Sequence, residues 1–397
     1  MSQRIYYTEP YRTTFDATVV SCTPQGDHFE VLLNETAFYP SSGGQPYDVG
    51  ALGEARVVDV VDREDGEVGH IVDRALSAGA QVRGEIDWRR RFDHMQQHTG
   101  QHVLSAAFDR LFQVRTESFH LGKDASSIDL AREVTAQEIR AAEDESNRIV
   151  WEDRPVHIRF ATAEEAKTLP LRKESLRSGP LRLIDVENFD LSACGGTHVA
   201  RTGGIGVIAI AGWERFKGGS RIEFLCGSRA LGRFREWRDA LAATGRHLSV
   251  MPAELAATVE KLQQDSKSLQ KTIRAQQEQL AVYEGRALVE RAERVGDRLV
   301  LVDALDNWDA NGLKALASAA ATQNPAVAVA LFSRTTPPVV VVAAGSDAKI
   351  DSAAVLKSLT ASFGGRGGGR KELAQGGGFA APLDQLLDAA RLAITNH

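Results

Sequence analysis

Two short stretches carry the residues best suited to chemistry. The first is His98-Thr99-Gly100-Gln101-His102, inside a segment, FDHMQQHTGQHVLSAAFDRLF, whose pattern predicts an amphipathic helix. Residues four apart share a helix face, so His98 and His102 can aim at one point. The second is Cys194-Gly195-Gly196-Thr197-His198, a short loop whose two glycines let the thiol and the imidazole fold toward each other. Three or four nitrogen and sulfur ligands of these types are what zinc takes in tetrahedral geometry. An HxxxH pair alone is weak, since histidines meet on helices by chance and a satisfied core histidine is the plain alternative. The CxxxH loop is the second, independent half of the signal. The pair is not the HExxH arrangement of metalloproteases, because Thr99 stands where the general-base glutamate would be.

The chain that must position these ligands has 397 residues, enough for two or three domains with sizeable cores. Its net charge of −6 excludes a bulk polycation, so any contact with nucleic acid must come from local patches and shape. Cys22, Cys194 and Cys226 are too few and too far apart for a disulfide framework, which points to a reducing, cytoplasmic setting. The start, MSQRIYYTEP, has no apolar core of a signal peptide, and no run is long enough to span a bilayer.

Residues 1–90 read as a small β-barrel domain. FDATVVSC, HFEVLLN, ARVVDVVDRE and GHIVDR are short β-prone runs separated by turn signals. Within it lies TAFYPSSGGQPYD, either a solvated loop or a binding loop whose Gly43 and Gly44 admit a ligand close to the backbone. Residues 91–228 read as an α+β core. It comprises the histidine helix, a strand Thr116–His120 that puts Thr116, Ser118 and His120 on one face, and a helix capped by Thr135. Further strands lead into and out of the Cys194 loop. Residues 229–290 are helical. Leu255, Val259, Leu262, Ser266, Leu269 and Ile273 fall on a heptad seam. A helical hairpin with the preceding helix is the expected use; a homodimer through the helical or C-terminal region is the alternative. Residues 291–397 alternate strands and helices as a small α/β domain. Eight glycines between 364 and 378 surround Arg366, Arg370 and Lys371, a composition that suits an anion cradle better than a core. A disordered linker is the other reading.

Taken together, the motifs resemble one family. HTGQH, followed about ninety residues on by CGGTH, is similar to the editing domain of alanyl-tRNA synthetase and of the free-standing AlaX editing proteins. TAFYPSSGGQPYDVG resembles the glycine-rich motif that precedes that core, with Ser41-Ser42 departing from it. GGRGGGRKELAQGGG resembles the synthetase's C-terminal domain, a module shared with DHH-family phosphoesterases. The motifs occur in family order over nearly the whole chain. No aminoacylation domain is expected ahead of the barrel, so the long form of AlaX is the best match.

The resemblance implies hydrolysis in trans of the ester joining serine, or glycine, to the 3′ end of tRNA(Ala). It implies one zinc ion per chain, held by His98, His102, Cys194 and His198. Four protein ligands favour a structural ion by count, although a catalytic role stays open. An apolar pocket separates serine poorly from alanine, whereas a pocket that must bond a hydroxyl rejects its absence by on the order of 10⁴. Thr36 is the first candidate for that bond, with Thr116 and Ser118 next. Gly43, Gly44 and Gln45 are expected to line the substrate, with Lys217 and Arg221 on acceptor-end phosphates. Arg366, Arg370 and Lys371 are expected on the tRNA body. Two rivals remain. A DHH-type phosphoesterase would need an Asp-His-His motif, and here Asp93-His94 is followed by Met95. A non-catalytic tRNA-binding zinc protein would show no turnover.

Overall fold

The computed structural model describes residues 2–172 and 180–396. The chain divides into two units, Met1–Ala243 and Thr244–His397. The expected barrel and core thus share one unit, and the helical stretch is divided between the two.

The first unit begins with a closed six-stranded barrel. Around it run Thr14–Gln25, His28–Leu33, Val68–Val72, Ala55–Asp62, Gly50–Leu52 and Gln81–Ile86. Strand side chains alternate between faces, so Phe15, Ala17 and Val19 fill the interior with Val31, Leu33, Val57 and Val82. Closure leaves the barrel without an unpaired edge.

Helix α1 (Trp88–Phe112) follows directly, its first turn capped by the Asp87 carboxylate accepting from the Arg90 N–H at 3.1 Å. The expected amphipathic pattern is corrected here. Residues 94–108 are buried all round, polar ones included. The helix runs through the middle of the core, and most of its polar side chains are paired inside the protein, His94 Nδ1 being the buried exception among the described residues. Arg91, fully buried, donates to the Asp48 carboxylate and to the Pro10 and Ala37 carbonyls. That buried ion pair fixes α1 to the barrel. Helix α2 (Ala136–Trp151) carries the Thr135–Glu138 capping box, which bears out the predicted cap. A short α3 (Ala163–Thr168) precedes the segment that bears the cysteine. Two antiparallel sheets complete the core. One has the order Ile208–Phe216, Gly219–Cys226, Ser126–Leu130, Thr116–Leu121; the other is Val156–Ala161, Leu181–Val186, Asp190–Ala193. Helix α4 (Gly227–Leu248) follows the last strand.

The second unit opens with α5 (Leu255–Arg291). Its seam residues Val259, Leu262, Leu269 and Ile273 are exposed, so within this unit nothing supplies the cover expected of a hairpin. Leu255, the first of the seam, is buried, and the far end, with Ala281 and Leu288, is buried in the cluster built on α6 (Ala310–Gln323). A six-stranded mixed sheet then takes the order Glu293–Val295, Arg298–Leu305, Val327–Ser333, Val339–Ala344, Leu373–Gly377, Arg366–Gly369. Successive residues of the central strand Val327–Ser333 alternate between two cores. Val327, Val329 and Leu331 face α6, while Ala328, Ala330 and Phe332 face α7 (Ser352–Phe363) and α8 (Leu383–Thr395). This bears out the α/β expectation. The glycine-rich motif is a β-hairpin at the sheet edge rather than a loop. A Cβ on Gly369 would lie 2.3 Å from the Ala374 Cα, so the two strands approach as only glycine permits. No helix among the described residues is long and apolar enough to cross a membrane.

Candidate metal centre and its surroundings

His98 and His102 project from successive turns of α1, and Cys194 and His198 from the loop after strand Asp190–Ala193. One ligand atom from each lies within 4.8 Å of all the others. The Cys194 Sγ is 3.4 Å from the His98 Nε2 and 3.3 Å from the His198 Nε2.

The second ring nitrogen of every histidine is occupied. His98 Nδ1–H donates to the Gln45 amide oxygen at 2.8 Å. The amide orientation is fixed, because the Gln45 nitrogen donates to the Thr197 hydroxyl and its oxygen also accepts from the Thr197 N–H. His102 Nδ1 meets the Asp190 carboxylate at 3.1 Å. His198 Nδ1–H donates to the Thr99 hydroxyl at 3.2 Å, since that hydroxyl gives its own proton to the Met95 carbonyl. All three Nε2 atoms are therefore the ones turned toward the thiol. Such outer partners set tautomer and ring angle at metal-binding histidines. Gly196 closes the site, for a Cβ there would stand 2.2 Å from the His98 ring.

Charge in this cluster is strongly organised. Burial pushes the Asp190 carboxyl up, but Arg172, at 2.6 Å, and His102 outweigh it and hold it at about 2. Burial likewise disfavours His102 as a cation, yet its bond to Asp190 and the nearby Cys194 raise it to about 9. Cys194 stays well below an ordinary thiol, its burial overcome by His98 and His198. Burial and the neighbouring His98 drive His198 well down. The cluster thus favours a thiolate beside imidazoles, and a cation held there would take the place of the proton on His102.

Gly43 and Gly44, at φ 53° and 83°, form a two-residue turn between Ser42 and Gln45. Both positions need a left-handed backbone, as in a type I′ hairpin turn. Gln45, expected against substrate, is instead 2% exposed and bonded to His98. Thr36 is also placed differently from expectation. It is wholly buried, and its hydroxyl donates to His70 Nε2 at 2.8 Å and accepts from the Phe38 N–H. Burial holds His70 neutral, at about 4, with Nδ1–H donating to the Val31 carbonyl. Thr116 and Ser118 do not share a face, because the register slips beside Asp129 and turns Thr116 inward. Thr116 donates to Ser105 of α1 at 2.8 Å, whereas Ser118 donates to Asp129 on the outer face. Arg221 stacks on Phe216 and spends its charge on Asp129 at 2.7 Å; Lys217 sits exposed in the adjoining turn. Arg366, Arg370 and Lys371 are exposed on the glycine hairpin of the second unit.

The three thiols differ in a testable way. Cys226 is fully buried behind α1, and burial raises its pKa. Iodoacetamide should modify Cys22 in the native protein, Cys194 only after metal is stripped by chelation, and Cys226 only after unfolding. Peptide mass mapping at each stage checks the order; early loss of the Cys226 thiol would contradict it.

Family profiles match in the order of the fold. "tRNA synthetases class II (A)" covers residues 9–90, "Threonyl and Alanyl tRNA synthetase second additional domain" 181–223, and "DHHA1 domain" 297–396. The alanyl-tRNA editing protein AlaX-L of Pyrococcus horikoshii is 31% identical over 411 residues, covering 100% of this chain and 99% of that protein. The chain belongs to the alanyl-tRNA editing protein family. Another member, Aarsd1-B of Xenopus laevis, is 35% identical over 301 residues, 72% of this chain and 73% of that one. An alanine–tRNA ligase of Pyrococcus furiosus is 33% identical over 392 residues, 94% of this chain but 42% of the ligase. For this family member the motif reading found the four clustered residues. It missed Thr99 and Asp190 as their partners. Asp190 had one available signal, its place four residues ahead of Cys194 on the strand that delivers the loop.

Proposed function

We propose that the protein is a trans-editing hydrolase that deacylates Ser-tRNA(Ala) and Gly-tRNA(Ala). The observation that carries this reading is the four-residue cluster in a chain whose full length aligns with an alanyl-tRNA editing protein. The metal we assign is zinc. With Zn–N of about 2.0–2.1 Å and Zn–S of about 2.3 Å, tetrahedral ligands stand roughly 3.5 Å apart across an N–S edge. The cysteine-to-histidine distances of 3.3 and 3.4 Å suit that ion. When bound, zinc supplies a fixed positive centre that holds the Cys194 loop and favours negative charge on a nearby substrate oxygen. Four protein ligands make the scaffold role the main one.

The chain's own residues do the rest. Gln45 ties the barrel turn to His98 and so joins the glycine loop to the ligand helix. An aminoacyl ester is already activated, and positioning with exclusion of bulk water supplies much of the rate. Thr36, buried with His70, is assigned a structural role at the base of the segment that leads to the turn. Thr116 is half-buried and bonded to α1, and we assign it the serine hydroxyl. Lys217 remains the candidate for an acceptor-end phosphate, and the Arg366, Arg370 and Lys371 hairpin the candidate for the tRNA body.

The function is tested by incubating the protein with Ser-, Gly- and Ala-tRNA(Ala). Release of serine and glycine with alanine retained is the expected result; no release from any of the three defeats the proposal. Thr116→Val should lower Ser-tRNA(Ala) hydrolysis by roughly tenfold to a hundredfold, the loss of one hydrogen bond with a partner left unpaired. Gly-tRNA(Ala), which offers no hydroxyl, should lose less. Thr36→Val should lower both substrates equally and reduce Tm, because it strips His70 of its donor. A selective loss on serine in Thr36→Val would return the reading role to Thr36.

A further inference from the structure

At the start of α1 three aromatic rings form a strip, and two of them, Tyr11 and Trp88, stay exposed. Trp88 is the first residue of the helix and Phe92 lies one turn on, their rings 5.2 Å apart. Tyr11, ahead of the first barrel strand, adds a third ring 5.3 Å from Trp88. Phe92 packs against the core, but Tyr11 is 43% and Trp88 36% exposed. Aromatic side chains of this size ordinarily go to cores and interfaces. The strip is also anchored. The Tyr11 hydroxyl accepts from the Ala200 N–H at 3.0 Å, two residues beyond His198. The rings therefore stand beside the loop that carries two of the metal ligands.

Two exposed arginines flank the rings in the sequence, Arg12 after Tyr11 and Arg89 after Trp88. Arg89 is exposed and makes no ion pair among the described residues. Arg12 is exposed and reaches Glu9 only at 3.6 Å. Residues 8–14 border an open hollow of about 710 Å³ beside Tyr11, lined by Thr8, Thr13 and Thr14, by Arg12 and by the one carboxylate of Glu9. An apolar protein partner would meet guanidinium groups and hydroxyls there. A chain of unpaired nucleotides would find π-faces for its bases and charge for its phosphates, which is how single strands are held without sequence readout.

We propose that Tyr11 and Trp88 are a stacking platform for the unpaired nucleotides at an RNA 3′ end, with Arg12 and Arg89 on the phosphates. This rests on the proposed editing function, in which the scissile ester sits at that end. Stacking at this rim holds the last bases while the ester lies at the site beyond His198.

The test uses the full-length protein and two uncharged RNA minihelices, one with a four-nucleotide 3′ overhang and one blunt. Fluorescence anisotropy should show the overhang bound more tightly. Trp88→Ala should weaken overhang binding by roughly tenfold to a hundredfold, the range for removing one base–aromatic stack. Trp88→Phe should keep most of it, and blunt RNA should bind both variants as it binds the wild type. Arg89→Glu, a change at an exposed, unpaired side chain, should weaken the overhang with zinc content and Tm unchanged. Overhang affinity equal to wild type in both Trp88→Ala and Arg89→Glu overturns the platform. So does a Trp88→Ala protein that changes only its oligomeric state, which would assign the strip to a second copy. Deacylation by the wild type is measured separately. Its absence defeats the editing function, while the overhang measurement still decides the platform as an RNA site.

Discussion

Cys194→Ala is expected to reduce bound zinc from about one per chain to a trace and to abolish measurable deacylation with it. Cys194 is the one thiol in the cluster, and its Sγ is the atom against which two histidine nitrogens converge. Removing a mere outer partner of a metal ligand typically costs 10–100-fold in affinity, so loss of a direct ligand should exceed on the order of a hundredfold. The chain should stay folded, because the hydrophobic core around α1 is untouched. Plasma emission spectroscopy, circular dichroism and the Ser-tRNA(Ala) assay on one preparation check all three. Cys226→Ala is the control, expected to keep its zinc. Full zinc occupancy in Cys194→Ala would remove that residue from the ligand set.

The second large effect is expected from Asp190→Asn. The change is nearly isosteric, but it deletes the charge that His102 and Arg172 share, and Ser192 also bonds this carboxylate. Zinc affinity should fall by roughly tenfold to a hundredfold. Stability near pH 7 should fall by about 2–4 kcal/mol, because a buried pair is broken and Arg172 is left without its partner. The pH dependence has a definite sign. The Asp190 carboxyl is held at about 2, below its ordinary value, so it binds fewer protons folded than unfolded. Its contribution is present above roughly pH 4 and is lost as pH falls toward 2. The acid limb of the wild-type stability curve should therefore be steeper than that of Asp190→Asn. Chelator competition and denaturant melts between pH 3 and 7 measure both effects. Equal zinc affinity and superimposable acid limbs would leave Asp190 with no part in holding His102.

Why some of this was legible in the sequence and some was not follows from what each residue must do. His98 and His102 announce themselves because a helix fixes which residues share a face. Cys194 and His198 do so because paired glycines between a thiol and an imidazole have few other uses. The barrel and the C-terminal α/β domain were readable from alternation, which solvent and core impose residue by residue. The partners of the histidines were not. Gln45, Thr99 and Asp190 are ordinary polar residues, and their spacing to the ligands is set by tertiary structure. The α1 periodicity misled for a related reason. A helix buried on all sides, its polar groups mostly paired, has no solvent face to mark. Thr116 was named, but its inward turn toward α1 was hidden by a single-residue slip in register beside Asp129, which no pattern in Thr116–His120 betrays.

The bond from Gln45 to both His98 and Thr197 gives the site one more property. The chain segments that meet there are 152 residues apart at their extremes. Closing so long a loop pays its entropy before any contact rewards it. A nascent or partly melted chain can present the two helix histidines, but not the opposing thiol or the amide that orients His98. A bound ion is therefore expected to be captured late in folding and released early in opening. Its exchange into a chelator under native conditions is then expected to follow the rate at which the barrel turn lifts from α1 rather than the rate of any single ligand bond. Followed with isotopically labelled zinc, that exchange is a clock for one local opening in a protein of many contacts.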